Sequence, residues 1–183
     1  VYVVSSNVGA NKANHWVDRS QNYAVFVDRQ GNLRSKLTVT FTHNGQTESW
    51  PNGLYKDYLR IYVPKGAELA DSSGITSDLT SYDEFGHTVF AGLVEVPINS
   101  SKEVEFSYTL PEDMVLSQEQ PYKLEVHSQP GMEDEQFSLQ FGLPLFLQAE
   151  NTTVGTKRMD DHLTWETRLS SVHTFSVSVS EQQ

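Results

Sequence analysis

A chain of 183 residues with 24 Asp and Glu against 13 Lys and Arg has a formal net charge of −11 and is a poor match for nucleic acid or an anionic membrane surface. The lack of cysteine excludes a disulfide framework, a thiolate metal site and a cysteine nucleophile. A hydrophobic fraction of 37% is low, but 8 Tyr, 9 Phe and 3 Trp spread along the chain supply large buried areas, as half-exposed sheets require.

In chain order, residues 1–5 form a short β-rich run and residues 6–14 (SNVGANKAN) a loop of turn-formers. Extended pieces follow over 15–20 and 22–28, the second with Tyr23, Val25 and Val27 on one face. Residues 28–32 make a hairpin loop containing Gly31, and residues 33–43 return with Leu37, Val39 and Phe41 alternating. Turn chemistry at 43–46 and 50–53 precedes a strand over 58–63, ended by Pro64, Lys65 and Gly66. A short strand over 67–71 leads into an exposed excursion rich in Ser, Thr and Asp over 71–84.

The centre of the chain is a pair of apolar stretches, 85–97 and 104–111, joined by the polar residues 98–103. They read as two strands with Phe90 and Phe106 in a core. Further on, residues 121–127 alternate, 129–135 form an acidic turn, 137–141 come back, and 143–149 make a strand interrupted by Pro144. Residues 163–167 are expected to pair with 174–179, where Phe175, Val177 and Val179 alternate with serines. A slip of one residue there would push hydroxyls into the core, so register is tightly set. No window holds a helical period. Strands recurring with turn signals about every ten residues predict an all-β, antiparallel β-sandwich of immunoglobulin-like architecture. The single β-rich region 1–183 admits a subdivision into a first lobe, 1–111, and a second, 121–183.

Four segments, taken together, resemble a known family: residues 6–14 leading into 17–20 (VDRS), 58–66 (YLRIYVPKG), 88–97 (TVFAGLVEVP), and 122–126 (YKLEV) with 129–131 (QPG). Their order is similar to the C-terminal part of large bacterial envelope proteins classed as a domain of unknown function, number four thousand and twelve. The resemblance spans residues 1–141 and implies an extracytoplasmic setting at the bacterial cell surface. It carries no catalytic residues to transfer. The abrupt opening on Val1, Tyr2, Val3 and Val4 reads as a strand already under way, so a segment excised from a longer, anchored protein is expected.

The residues offer little chemistry. There is no Gly-x-Ser-x-Gly elbow, and the six histidines (His15, His43, His87, His127, His162, His173) never stand at i, i+2 or i, i+4 spacing. Adjacent carboxylates occur at Asp83 and Glu84, at Glu133, Asp134 and Glu135, and at Asp160 and Asp161, all in expected turns. Solvated neighbours of this kind do not give the facing pair that glycoside hydrolysis needs. Hard oxygen ligands in loops suit calcium better, with Asp71, Asp78, Asp83 and Glu84 as the candidate ligands, although no Asp-x-Asp-x-Asp-Gly pattern is present. Trp50 and Tyr55, in a loop with Glu48 and Asn52, are candidates for stacking on a glycan; folding of Trp50 back over the end of the sandwich is the competing expectation. Trp16 and Trp165 are expected in the core. No catalytic residue and no cofactor other than calcium is expected. The expected role is a non-catalytic structural or protein-interaction module, with a cell-envelope component or another protein as partner, and envelope-glycan binding as the alternative.

Overall fold

A computed structural model describes residues 1–132 and 134–181 as two packed sheets. The strands are β1 (Tyr2–Val4), β2 (Val17–Val27), β3 (Leu33–His43), β4 (Tyr55–Pro64), β5 (Glu68–Ser73), β6 (Thr80–Glu84) and β7 (His87–Val96). They continue with β8 (Ser100–Thr109), β9 (Tyr122–His127), β10 (Glu135–Gly142), β11 (Leu147–Thr152), β12 (Lys157–Arg158), β13 (His162–Leu169) and β14 (Val172–Glu181). Sheet A runs β11-β14-β9-β1-β4-β7-β6 and sheet B runs β12-β13-β10-β2-β3-β8-β5.

Period-two side chains build both inner faces. In β3, Leu33, Ser35, Leu37, Val39, Phe41 and His43 are buried while the residues between them reach water. The β2–β3 hairpin closes through Asp28, whose carboxylate accepts the Gln30 and Asn32 amides at 2.9 Å each. Gly31 sits at φ +87 there, and a Cβ on it would come within 2.7 Å of the Leu116 carbonyl, so geometry and space both require glycine.

Sandwich architecture holds, with three departures from the expected arrangement. Each sheet is mixed rather than antiparallel, because β10 runs parallel to β2 (Gln136↔Ser20 to Phe141↔Val25) and β9 runs parallel to β1 at Tyr2↔His127. The fourteen strands of the two sheets also exceed the total of about seven to nine in an immunoglobulin sandwich. Residues 163–167 and 174–179 do not pair: β13 bonds β10 and β12 in sheet B, and β14 bonds β9 and β11 in sheet A. Central strands β7 and β8 likewise lie in opposite sheets, so the link between them crosses the sandwich. It brings Phe90 and Phe106, both fully buried, into a stack with ring centroids 6.4 Å apart.

Residues 111–120 form the link between the two halves of the chain. Strands on either side of that link make adjacent blocks in both sheets, joined at the two parallel seams over one continuous apolar core.

Candidate functional site

The central strand of sheet A, β1, lies between β9 and β4, antiparallel to β4 from Tyr2↔Tyr62 to Val4↔Arg60. On the β9 side Val1 N donates to the Glu125 carbonyl at 2.5 Å and its own carbonyl accepts the His127 amide at 3.1 Å. Alternation along β9 therefore turns the Lys123 and Glu125 backbone groups toward β1 and those of Leu124 toward β14. On the facing side the ladder stops at Pro64, which has no N–H and whose carbonyl accepts the Ala67 amide at 3.1 Å.

Beside β1, between β9 and the end of β4, lies a cleft of 530 Å³. Tyr23, Leu110, Met114 and Tyr122 line its depth, the β9 backbone makes one wall, and Pro64, Phe85 and His87 make the other. Tyr23 donates to Ser35 Oγ at 2.9 Å and lies 2.9 Å from the Tyr108 hydroxyl. Burial pushes the phenols of Tyr23, Tyr108 and Tyr122 up, so they stay neutral. At the mouth, burial lowers His127. The floor is thus apolar and uncharged.

An aromatic row runs from the mouth across the outer face of sheet A: His127, Tyr2, Tyr62, Val89 and Tyr82 are successive partners across five strands. Tyr62 donates to Glu84 at 2.6 Å, and burial together with that carboxylate raises its phenol to about 12. At the tip of the β6–β7 hairpin, Phe85 has φ 49 and is 86% exposed. A bulky residue in the left-handed region costs about 1 kcal/mol, and here it holds an apolar ring in water beside an apolar cleft.

A second cluster lies inside the opposite end of the sandwich. Arg19, on β2, donates to both oxygens of Glu135, on β10, at 2.5 and 2.9 Å, and to Ser5 Oγ at 2.6 Å. Gln129 clasps Ser5 through two backbone bonds, and Asp57 accepts the Ser6 amide at 2.6 Å. Burial raises the Asp57 carboxyl, and burial and the Asp57 charge raise the Tyr55 phenol. The carboxyl and guanidinium nearest the Ser5 hydroxyl are bound internally, so this network fixes β1 between its neighbours rather than activating a nucleophile.

The expected site residues separate. Trp50, whose bond to Pro51 is cis, is 77% exposed and does not fold back over the sandwich; the loop is held instead by Lys12 N donating to the Pro51 carbonyl at 2.7 Å. Tyr55 is 4% exposed and points into the core, because it starts the inward register of β4; it cannot join Trp50 in a stacking platform. The calcium set is not assembled either. Asp71 lies on β5 in sheet B, whereas Asp83 and Glu84 lie on β6 in sheet A, with Asp78 in the link between them. Asp83 accepts from Thr88 and Glu84 from Tyr62, and among the described residues no three His, Asp or Glu side chains converge as metal ligands.

Of the acidic runs, Glu133 lies outside the described residues. Glu135, expected in a solvated turn, is buried against Arg19. His43 is buried at its strand end, accepting the Gly45 amide at Nδ1 and donating from Nε2 to the Gly53 carbonyl at 2.9 Å. Trp165 is in the core, while Trp16 is half-buried at the end of a short 3₁₀ turn. Leu110 and Met114 were not legible as site residues, since nothing in their neighbourhood marks a cleft; Phe85 before Gly86 was the one available signal.

No family model and no curated protein matches the chain. The chain is similar to several solved structures. A candidate nutrient-binding protein of Legionella pneumophila superposes with a TM-score of 0.52 at 6% identity, over 96% of this chain and 70% of that one. Leukotriene A4 hydrolase of Saccharomyces cerevisiae gives 0.49 at 6% identity, over 92% of this chain and 30% of that one. An M1 zinc metallopeptidase of Deinococcus radiodurans gives 0.42 at 13% identity, over 88% and 42%. The first defines the class of this protein as a β-sandwich domain and says nothing of its chemistry.

Proposed function

We propose that this chain is a non-catalytic, extracytoplasmic β-sandwich module of a bacterial cell-surface protein that acts by binding a partner protein. The observation that carries this reading is the apolar floor of the cleft, formed by Tyr23, Leu110, Met114 and Tyr122, with the exposed Phe85 beside it. Two features support the non-catalytic part: the buried acids and serine serve internal bonds, and the histidines stay apart from them. Compartment and family remain with the resemblance of residues 1–141 to envelope proteins. Titration of the labelled protein with an apolar fluorescent dye should shift resonances of Leu110, Met114 and Tyr122. Met114→Trp, which fills the cleft from a loop, should abolish the shifts. Dye binding unchanged by that variant would count against the cleft as the interaction site.

Carbohydrate binding is a second reading, favoured by the exposure of Trp50. It now rests on Trp50 alone. Specific envelope-glycan binding that disappears in Trp50→Ala would support it, and binding unaffected by that change would remove it.

A further inference from the structure

The outer face of sheet A carries an inference about the partner, which rests on the reading of this chain as a partner-binding module. We infer that the face around Arg60 docks a partner protein presenting one side-chain carboxylate framed by apolar residues.

In β7, Phe90 turns inward, so Val89 and Ala91 face outward, yet both are fully buried. The strands form two sheets only, so among the described residues no further sheet covers this side. The cover comes from neighbouring strands: Tyr62 and Tyr82 flank Val89, and Arg60 and Thr80 flank Ala91. Tyr58 stands beside Leu93 in the next row, and Tyr58 and Tyr82 are each 37% exposed. Burial raises the Tyr62 and Tyr82 phenols and the Arg60 charge draws both back, which places the guanidinium near these rings. A buried apolar floor under open tyrosines and an arginine matches the centre of a protein interface, where these two residue types are enriched.

Arg60 fixes the partner's chemistry. Its Nη2 donates to Ser6 Oγ at 3.3 Å, and its Nε is buried with no acceptor among the described residues. The charges around it are already engaged. Lys56 pairs with Glu95 at 2.9 Å, Lys65 pairs with Asp83 at 3.7 Å, and Glu84 accepts from Tyr62 at 2.6 Å. A guanidinium offers five donors in a planar fork, which one carboxylate meets through two parallel bonds. A docked surface that excludes water strengthens those bonds, and its apolar side chains lie on the tyrosine rings. The net charge of −11 repels an acidic patch, so the complement is a single carboxylate rather than a run of them.

The test uses a short capped peptide with one glutamate between leucines, the same peptide with glutamine instead, and an apolar dye. The glutamate peptide should shift the resonances of Tyr58, Arg60, Ala91 and Tyr82, and bind about fivefold more tightly than the glutamine peptide. Arg60→Gln should bind both peptides alike, and Arg60→Lys should keep only part of the difference. Equal binding of the two peptides to the wild type, or a glutamate preference that survives Arg60→Gln, would overturn the inference. So would peptide shifts confined to another face. Dye shifts at Leu110, Met114 and Tyr122 without peptide binding would overturn it and leave the cleft as an interaction site; binding of neither probe would remove both.

Discussion

The buried pair Arg19–Glu135 offers the sharpest energetic test of how β1 is held. Both side chains are 1% exposed, and the guanidinium also bonds Ser5 Oγ and the Val3 carbonyl, so it ties β2, β10 and β1 together. Glu135→Gln keeps the shape but leaves a buried cation without its counter-charge. Such a change costs about 3–5 kcal/mol. In a domain of this length each kcal/mol lowers the melting temperature by about 2–4 °C, so a fall on the order of 10 °C is expected. Arg19→Met should cost a similar amount by leaving the carboxylate unpaired. Joining Arg19→Met to Glu135→Gln removes both charges, so the double variant should lose much less than the sum of the singles. Urea melts of the four proteins measure the coupling directly. Single losses below about 1 kcal/mol that simply add would refute a dry, mutually dependent pair.

Three further outcomes follow from the interior. Phe106→Asp, which buries a charge against Phe90, should abolish the cooperative unfolding transition; a folded variant that had merely lost binding would overturn the assignment of this residue to the core. Asp57 is buried with a raised carboxyl, so the folded state holds a proton that the unfolded state has released, and stability declines as pH rises from the ordinary carboxylate range. Asp57→Asn should therefore gain on the wild type as pH is raised from 4 to 7, by urea midpoint, and a constant difference would contradict the shift. Gln21 is 1% exposed, and its amide makes no hydrogen bond among the described residues. Gln21→Met should raise stability by about 1 kcal/mol, which a thermal melt would detect; a loss of that size would mean the amide is satisfied.

Much of the fold was legible because its strands alternate. Leu37, Val39 and Phe41 set β3, and Phe175, Val177 and Val179 set β14, from sequence alone. Strands were cut short where the inward face carries polar residues. Arg19 and Gln21 point into the core, so β2 read as two pieces, and Tyr55 with Asp57 hid the start of β4. Glu135 looked like part of a solvated turn because its partner, Arg19, lies 116 residues away. Edge strand β6 has mostly exposed side chains and so shows no apolar period. Period two names the buried face of a strand but not its neighbour, which is why the parallel seams and the separation of β13 from β14 were not visible. The cleft was hidden for a related reason: Tyr23, Leu110, Met114 and Tyr122 come from separate parts of the chain and meet only through the packing of the two sheets.

Titration of the cleft with an apolar dye, followed by resonance shifts, tests the central claim most directly. The account predicts shifts of Leu110, Met114 and Tyr122 that are lost in Met114→Trp. Shifts that persist in that variant, or that fall elsewhere on the sandwich, would contradict it.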